Sequence, residues 1–217
     1  MTVIALSGAY GAGGSAIGPA LAERLGVPFL DRAIPAAVAD DLSVPLTEVE
    51  AHDDRLNASR LERILSGFVG VEFGVPVGMV APTVTPDHFR RATEQVLLRQ
   101  AETGVGVILG RAATVVLRED PRTLRVRLDG PEDRRVAQAM RLEGIDEDTA
   151  RRRLRQQDRT HADYLKYFYG VQLGDPALYH LMLDSTALSV AACVQILVTA
   201  AEAHAGRLPA GGDGLLG

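Results

Sequence analysis

The stretch Gly8-Ala-Tyr-Gly-Ala-Gly-Gly-Ser15 follows a short apolar run and leads into a segment with helical spacing. A glycine-rich loop between a strand and a helix is the setting of the phosphate-binding pattern G-x-x-x-x-G-K-[ST]. Gly8, Gly13 and Ser15 stand at the glycine and hydroxyl positions of this pattern. Gly14 stands where the pattern has lysine, which normally reaches the outer phosphates of a nucleotide. The loop therefore predicts a phosphate site whose usual cation is missing.

The backbone N–H groups of this loop, at a helix N-terminus, are the predicted phosphate ligands. The candidates are Gly11, Ala12, Gly13, Gly14 and Ser15, and Ser15 is also the candidate magnesium ligand. A flexible glycine turn and a dinucleotide-binding turn are the alternatives. The dinucleotide spacing is present only in shifted form, and Asp31 is its one candidate ribose ligand. Because Ser15 stands at the hydroxyl position of the phosphate-loop pattern, a nucleotide phosphate site is favoured over both alternatives.

Composition narrows the class of protein. A net charge of −5 argues against a general nucleic-acid binder. No apolar run approaches the roughly 18 residues of a membrane-spanning helix. The chain passes from Met1 directly into a predicted strand, and its single cysteine, Cys193, excludes an intrachain disulfide. We therefore expect a cytoplasmic enzyme-sized protein that contacts neither nucleic acid nor membrane.

Arginine dominates the positive charge. Lys166 is the only lysine, and eight arginines lie between Arg134 and Arg159. Arg151, Arg155 and Arg159 recur every four residues and form a stripe on a helix. Such a stripe on a lid can stabilise charge in phosphoryl transfer. The alternative is a solvated helix whose arginines pair with neighbouring carboxylates.

Apolar runs alternate with helical patterns, which predicts an α/β fold with a central, mainly parallel five-stranded sheet and helices on both faces. The predicted strands are Val3–Ser7, Val27–Leu30, Val105–Leu109, Leu124–Leu128 and His180–Asp184. Helix starts are predicted at Pro86, after Pro131, after Asp146 and after Ser189, and Gly144 is a predicted C-cap. One domain spans residues 1–207, with an arginine-rich lid at about 144–170 and a flexible tail at 208–217.

Two charged residues follow predicted strands at the carboxyl edge of the sheet, where ligands bind in open α/β folds. Arg111 follows Leu109-Gly110, and its fork-shaped guanidinium suits a phosphate or a base edge. Asp31 follows Leu30 and could hold magnesium-bound water or orient an acceptor. The alternatives are ordinary: a helix cap or ion pair for Arg111, and for Asp31 an N-cap or a pair with Arg32.

The segment 36–83 fits the sheet pattern less well. Its first half predicts two short helices, and residues 67–83 are rich in Gly, Val and Pro. This second half either covers a substrate or partner, or packs as an irregular loop. The apolar run Phe68–Val80 is a candidate homodimer surface.

Five stretches in order resemble the cytidylate kinase-like family of P-loop nucleoside monophosphate kinases. They are Tyr10-Gly-Ala-Gly-Gly-Ser-Ala-Ile-Gly18, Pro28-Phe-Leu-Asp31, Val107-Ile-Leu-Gly-Arg-Ala112, Asp158–Gly170 and Leu183-Asp-Ser-Thr-Ala-Leu-Ser189. True cytidylate kinases have the loop lysine and an aspartate in place of Ala112. Together the five matches are far more specific than any one of them.

The resemblance implies ATP with magnesium as donor and a nucleoside monophosphate, CMP or dCMP, as acceptor. It places the donor phosphates at Gly11 to Ser15 and the acceptor at Asp31 and Arg111. It also assigns a lid and phosphate clamp to Arg134, Arg151, Arg155 and Arg159. A nucleotide-binding regulatory protein or pseudokinase, and a kinase for a non-nucleotide acceptor, are the alternatives.

Overall fold

A computed structural model describes residues 2–30, 86–110 and 112–207 of the chain. Five strands form one sheet in the order β2-β3-β1-β4-β5, and every pairing is parallel. The strands are β1 (Val3–Gly8), β2 (Phe29–Leu30), β3 (Gly106–Leu109), β4 (Thr123–Asp129) and β5 (Leu181–Asp184). All five predicted strands and the α/β class are confirmed.

Six α-helices and one 3-10 turn connect the described strands. They are α1 (Gly14–Leu25), α2 (Pro86–Glu102), α3 (Ala113–Val116), α4 (Glu132–Glu143), α5 (Glu147–Tyr169), the turn Pro176–Leu178 and α6 (Val190–Ala205). Asp146 caps α5 by accepting from the Thr149 N–H at 2.8 Å, and Ser189 caps α6. Gly144 ends α4 in the left-handed conformation, with φ of 67°. These caps are confirmed, whereas α3 has only four residues and no sequence signal predicted it.

Strands β1 and β3 are buried on both faces, which explains their unbroken apolar runs. Successive side chains of a strand point to opposite faces. Val3 and Ala5 therefore pack with α2, α3 and the C-terminal half of α5. Ile4 and Leu6 pack on the other face with α1 and α6. A third, smaller cluster joins α4 to α5 and includes Tyr10 of the loop.

Several sequence predictions lie outside the described residues. These are the excursion at 36–83, the tail at 208–217, Asp31 and Arg111. The division into core, excursion, lid and tail therefore stays a prediction. Within the described ranges, no helix combines the length and apolarity needed to cross a bilayer.

Candidate active site

The glycine loop between β1 and α1 forms a cradle at the carboxyl edge of the sheet. Gly11 and Gly13 have φ of 75° and 77°, a left-handed conformation that glycine adopts freely. Gly13 is the N-cap of α1, so the first N–H groups of that helix face out of the loop. Ser185, after β5, donates from its hydroxyl to the Ala12 carbonyl oxygen at 2.6 Å. The loop is thus held in a shape that presents N–H donors to an anion.

Helix α4 lies directly against this loop. A Cβ atom at Gly11 would collide with the backbone carbonyl of Arg135. The same arginine is buried, and its Nη1 donates to the Tyr10 carbonyl oxygen at 3.0 Å. Only glycine at position 11 allows this close approach, so the loop and α4 form one unit.

Asp158 of α5 completes the attachment. Its Oδ1 accepts from the Tyr10 backbone N–H at 3.2 Å, and its Oδ2 accepts from Arg135 Nη1 at 2.7 Å. Arg135 Nε also donates to the Gly130 carbonyl oxygen at 2.9 Å. A buried arginine needs such partners because an unpaired charge away from water is costly. The α4–α5 hairpin is therefore fastened to the phosphate loop by a charged, partly buried network.

A cleft of about 770 Å³ opens above the loop. Its floor is the loop with the end of β3, and its wall is one side of the α4–α5 hairpin. The loop and strand residues are Gly8, Ala9, Tyr10, Gly11, Gly13, Gly14, Ser15, Leu109 and Gly110. The hairpin residues are Ala139, Leu142, Glu143, Arg153, Gln156, Gln157 and His161. The cleft thus brings the predicted phosphate loop together with a polar face of the predicted lid.

The arginines named from the sequence lie elsewhere on the hairpin. Arg151 is held by Asp133 and Glu147, each at 2.9 Å. Arg155 and Arg159 are exposed, and the Nε of Arg159 lies 3.8 Å from Asp163. Arg134 pairs with Asp184 at the rim, at 2.6 Å. The structure brings none of these four into the cleft lining, and their role as a phosphate clamp stays a prediction.

Arg153 is the arginine that lines the cleft in the described part of the chain. Its Nη1 lies 2.5 Å from Oε2 of Glu143, the last residue of α4. Tyr10 packs beside them, and burial together with the negative charge of Glu143 raises the pKa of its phenol to about 12. A guanidinium, a carboxylate and a neutral phenol therefore meet at the mouth of the phosphate loop.

His161 contributes an uncharged imidazole to the same wall. Burial, and then the positive charge of Arg127, lower the pKa of His161 to about 4. Arg127 is itself buried, donating to the Ser7 hydroxyl at 3.1 Å and to Asp129 at 2.9 Å. At neutral pH the imidazole is therefore neutral and offers hydrogen bonds without charge.

Leu109 occupies the space beside the position of the missing lysine. A Cβ atom built at Gly14 would lie 3.1 Å from Leu109 Cδ1, closer than side chains normally pack. A lysine stem at this position would have to push the leucine aside. The absence of lysine at position 14 and the position of Leu109 are thus sterically coupled.

Ser15 lines the cleft and is exposed, so its hydroxyl is available as a metal ligand. Within the described ranges, no cluster of three or more His, Cys, Asp or Glu residues is placed to hold a metal. Mg²⁺ commonly keeps several waters and binds through few protein ligands plus substrate phosphates. One hydroxyl beside an anion cradle fits a magnesium ion that arrives with a phosphorylated ligand.

Sequence reasoning missed Arg135, Asp158 and the cleft face of α5. A signal for that face exists, because Arg153, Gln157 and His161 also recur every four residues. The sequence interpretation chose the neighbouring row, which contains more arginines. What separates the two rows is the side on which α5 meets the loop, and the Tyr10–Asp158 hydrogen bond fixes this side.

Comparisons with known proteins give the relatives of this chain by sequence. A family model described as the cytidylate kinase-like family matches residues 3–187. A cytidylate kinase of Methanopyrus kandleri is 32% identical over 110 residues. That stretch is 47% of this chain and 57% of the relative, so less than two thirds of the relative's length is matched.

Solved structures resemble the fold over almost the whole chain. An uncharacterized protein from Eubacterium ventriosum has a TM-score of 0.66 at 18% identity, covering 93% of this chain and 99% of its own. A gluconokinase from Sinorhizobium meliloti has a TM-score of 0.54 at 18% identity, covering 94% of each chain. A shikimate kinase from Bacteroides thetaiotaomicron has a TM-score of 0.51 at 18% identity, covering 93% and 98%. Likeness at this identity shows the P-loop kinase fold alone.

Proposed function

Because the chain belongs to the cytidylate kinase-like family, we propose that it transfers the γ-phosphoryl group of ATP to a nucleoside monophosphate, with CMP or dCMP as acceptor. In the proposed reaction an acceptor phosphate oxygen bonds to the γ-phosphorus. The bond from that phosphorus to the β–γ bridging oxygen breaks, and ADP leaves. The reaction demands positioning and charge neutralisation more than a strong base.

The described residues support separate binding roles for the loop and for the hairpin. The N–H groups of Gly11, Gly13, Gly14 and Ser15 bind the donor phosphates, whereas the Ala12 N–H already donates to the Ala9 carbonyl oxygen at 3.0 Å. The Ser15 hydroxyl contacts the magnesium that accompanies ATP. The hairpin wall excludes water and offers hydrogen bonds from Gln156, Gln157 and His161. Asp31 and Arg111, outside the described residues, are the proposed acceptor contacts. Gly110 and Ala112, which bracket Arg111, both have positive φ values, 77° and 57°.

The single observation that carries the proposal is the intact glycine cradle at the floor of a polar cleft. Gly11 and Gly13 both have left-handed φ values, which curve the loop around the start of α1 although the lysine is absent. Backbone N–H groups and the helix dipole provide anion affinity that needs no side chain. The cradle therefore has a use even in its lysine-free form.

A coupled assay of ADP release tests the proposal, with ATP, magnesium and a panel of monophosphates. We expect turnover with CMP or dCMP above that with AMP, GMP and UMP, because the family resemblance points to a cytosine acceptor. A variant with Ser15→Ala, which removes the hydroxyl proposed to contact magnesium, should lose turnover while a thermal melt shows whether it folds. Equal and negligible rates across the panel would overturn the proposed activity.

The contact between Gly14 and Leu109 favours a second candidate, a nucleotide-binding regulatory protein with the same fold. A site that has filled the space beside the lysine position with leucine has less positive charge for the transition state. In that case the protein binds ATP but releases no ADP. Adding a monophosphate, or a small metabolite such as shikimate or gluconate, does not change this. Binding measured beside the turnover assay separates the two functions.

A further inference from the structure

The ion pair of Glu143 and Arg153 stands at the mouth of the phosphate cleft. Both side chains line the cleft, and their charged atoms lie 2.5 Å apart. The Arg153 side chain is 48% exposed and that of Glu143 is 34% exposed, so an incoming ligand can reach both. Glu143 ends α4 and Arg153 lies in the second turn of α5, which places them face to face across the hairpin.

The neighbouring arginines are already committed to other partners. Arg135 and Arg127 are buried in the network beneath the loop. Arg151 and Arg134 are paired with carboxylates away from the cleft lining. Arg153 is therefore the described guanidinium that can turn toward a phosphate on the loop without dismantling the attachment of the hairpin.

The Tyr10 hydroxyl is a potential hydrogen-bond donor to Glu143. This hydroxyl is buried and lies beside both Glu143 and Arg153, but it makes no well-aligned hydrogen bond to a described residue. The pKa of Tyr10 is raised to about 12, first by burial and then by Glu143, so the phenol keeps its proton. A protonated phenol is a donor, and the carboxylate is the acceptor beside it.

We propose that Glu143 competes with the outer phosphates of a bound nucleoside triphosphate for Arg153. This rests on the proposed nucleotide function of the loop. Carboxylates and phosphates are alternative partners of the same guanidinium fork, and a triphosphate carries more negative charge than one carboxylate. Without nucleotide, Glu143 holds Arg153. When a triphosphate enters, Arg153 turns to it, and Glu143 accepts a hydrogen bond from Tyr10.

The positive charge that the loop lacks is thus supplied from the hairpin by Arg153, which is paired with Glu143 until a phosphate ligand binds. A lysine within the loop would be available to any anion, whereas this arginine has an internal competitor. The competition disfavours weak, singly charged anions and favours ligands with several phosphates. The Glu143–Arg153 pair is therefore a specificity device of the site.

Calorimetric titration with ATP and magnesium, and separately with inorganic tripolyphosphate, tests this competition. Glu143→Gln removes the competitor's charge, and we expect ATP affinity to rise about fivefold, since an exposed ion pair is worth up to about 1 kcal/mol. Arg153→Gln should weaken ATP binding by about tenfold, as expected for a lost charge-assisted contact. In the double variant the gain from Glu143→Gln should vanish.

Matched controls separate this effect from general charge changes. Glu119→Gln removes the same charge from another exposed pair, Arg118–Glu119 at 2.9 Å, outside the cleft lining. It should leave ATP affinity within about twofold, as expected for a screened surface pair. Tyr10→Phe should weaken ATP binding slightly in the wild type but not in the Glu143→Gln variant.

Unchanged or weaker ATP binding in Glu143→Gln, with normal binding in the wild type, would overturn the competition and leave the proposed function standing. A gain that persists in the double variant would overturn the role of Arg153. If neither the wild type nor Glu143→Gln binds ATP or tripolyphosphate, the proposed nucleotide function fails and the competition fails with it.

Discussion

Helix α5 carries two rows of polar residues that have the same four-residue spacing and different surroundings. One row, Arg151, Arg155 and Arg159, faces carboxylates and solvent. The other row, Arg153, Gln157 and His161, lines the cleft above the phosphate loop. Two residues separate the rows along the chain, and this corresponds to about 200° around the helix.

The difference teaches that the density of arginine along a helix does not identify its functional side. The buried row of α5, which includes Ala150 and Leu154, lies between the two polar rows. Either flank of such a row can face a ligand. The flank chosen here follows from Asp158, which binds the loop and sets the rotation of the helix.

The largest effect is expected from Gly11→Ala. This change should break the contact between the glycine loop and α4, and that contact keeps one row of α5 over the cleft. Alanine would collide with the Arg135 carbonyl and would have to adopt φ of 75°. We expect ATP affinity to fall by about a hundredfold and stability to fall by about 2 kcal/mol or more. Titration and thermal denaturation measure the two.

Gly26→Ala is its matched control. Gly26 also has a positive φ, 65°, but a Cβ atom there meets open space. It should cost about 1 kcal/mol of stability and leave ATP affinity unchanged. Equal effects of the two variants on ATP affinity would show that the contact of the loop with α4 is unimportant.

Asp158→Asn should loosen the same attachment to a smaller extent. The amide can still accept from the Tyr10 N–H, but it leaves the buried Arg135 without its closest charged partner. We expect about 2 kcal/mol less stability, with about tenfold weaker ATP binding. Asp163→Asn, whose pair with Arg159 is long and exposed, should change stability by less than about 0.5 kcal/mol. Indistinguishable melts of the two variants would argue against the network.

A direct comparison of the two rows uses Gln157→Ala and Arg155→Ala. Gln157 lines the cleft, so we expect its loss to raise the KM for ATP about fivefold, as for one lost hydrogen bond. Arg155 is exposed and is not one of the residues that line the cleft, so we expect a change within about twofold. A strong loss of kcat in Arg155→Ala without loss of stability would instead support the arginine stripe predicted from the sequence.

The last effect concerns pH and acts on stability rather than on ATP binding. The pKa of His161 is lowered from 6.5 to about 4 in the folded protein, because burial disfavours the charged imidazole. Between these values the unfolded chain binds more protons, so stability falls as pH drops from 6.5 toward 4. His161→Gln should reduce that loss by about 1–2 kcal/mol, less than the full shift because the side chain is only partly buried.

Denaturant titrations at pH 7 and pH 4.5 measure the effect. The pKa values of His180 and His204 are also lowered by burial and by Arg125, so part of the pH dependence should remain in His161→Gln. His180→Gln is the control outside the cleft. An unchanged pH dependence in His161→Gln would mean that this imidazole is not held neutral by its surroundings.

The sequence predicted the strands and caps because their signals are local. An apolar run such as Val107–Leu109 and a capping residue such as Asp146 act within a few residues of themselves. The glycine cradle was predicted for the same reason. The cleft wall was not predicted, because adjacent residues of the same type have different environments. Arg134 is exposed, and Arg135 is buried under the loop. Such choices depend on contacts between residues more than a hundred positions apart, as between Tyr10 and Asp158.

The packing of Leu109 against Gly14 has a consequence for how this loop can change over generations. Restoring the lysine by one substitution places its stem 3.1 Å from a leucine methyl group. The leucine methyl group, at the floor of the cleft, must shift by a few tenths of an ångström to admit the lysine stem. The gain of a lysine at position 14 is therefore coupled to the side chain at position 109, and we expect these two positions to change together.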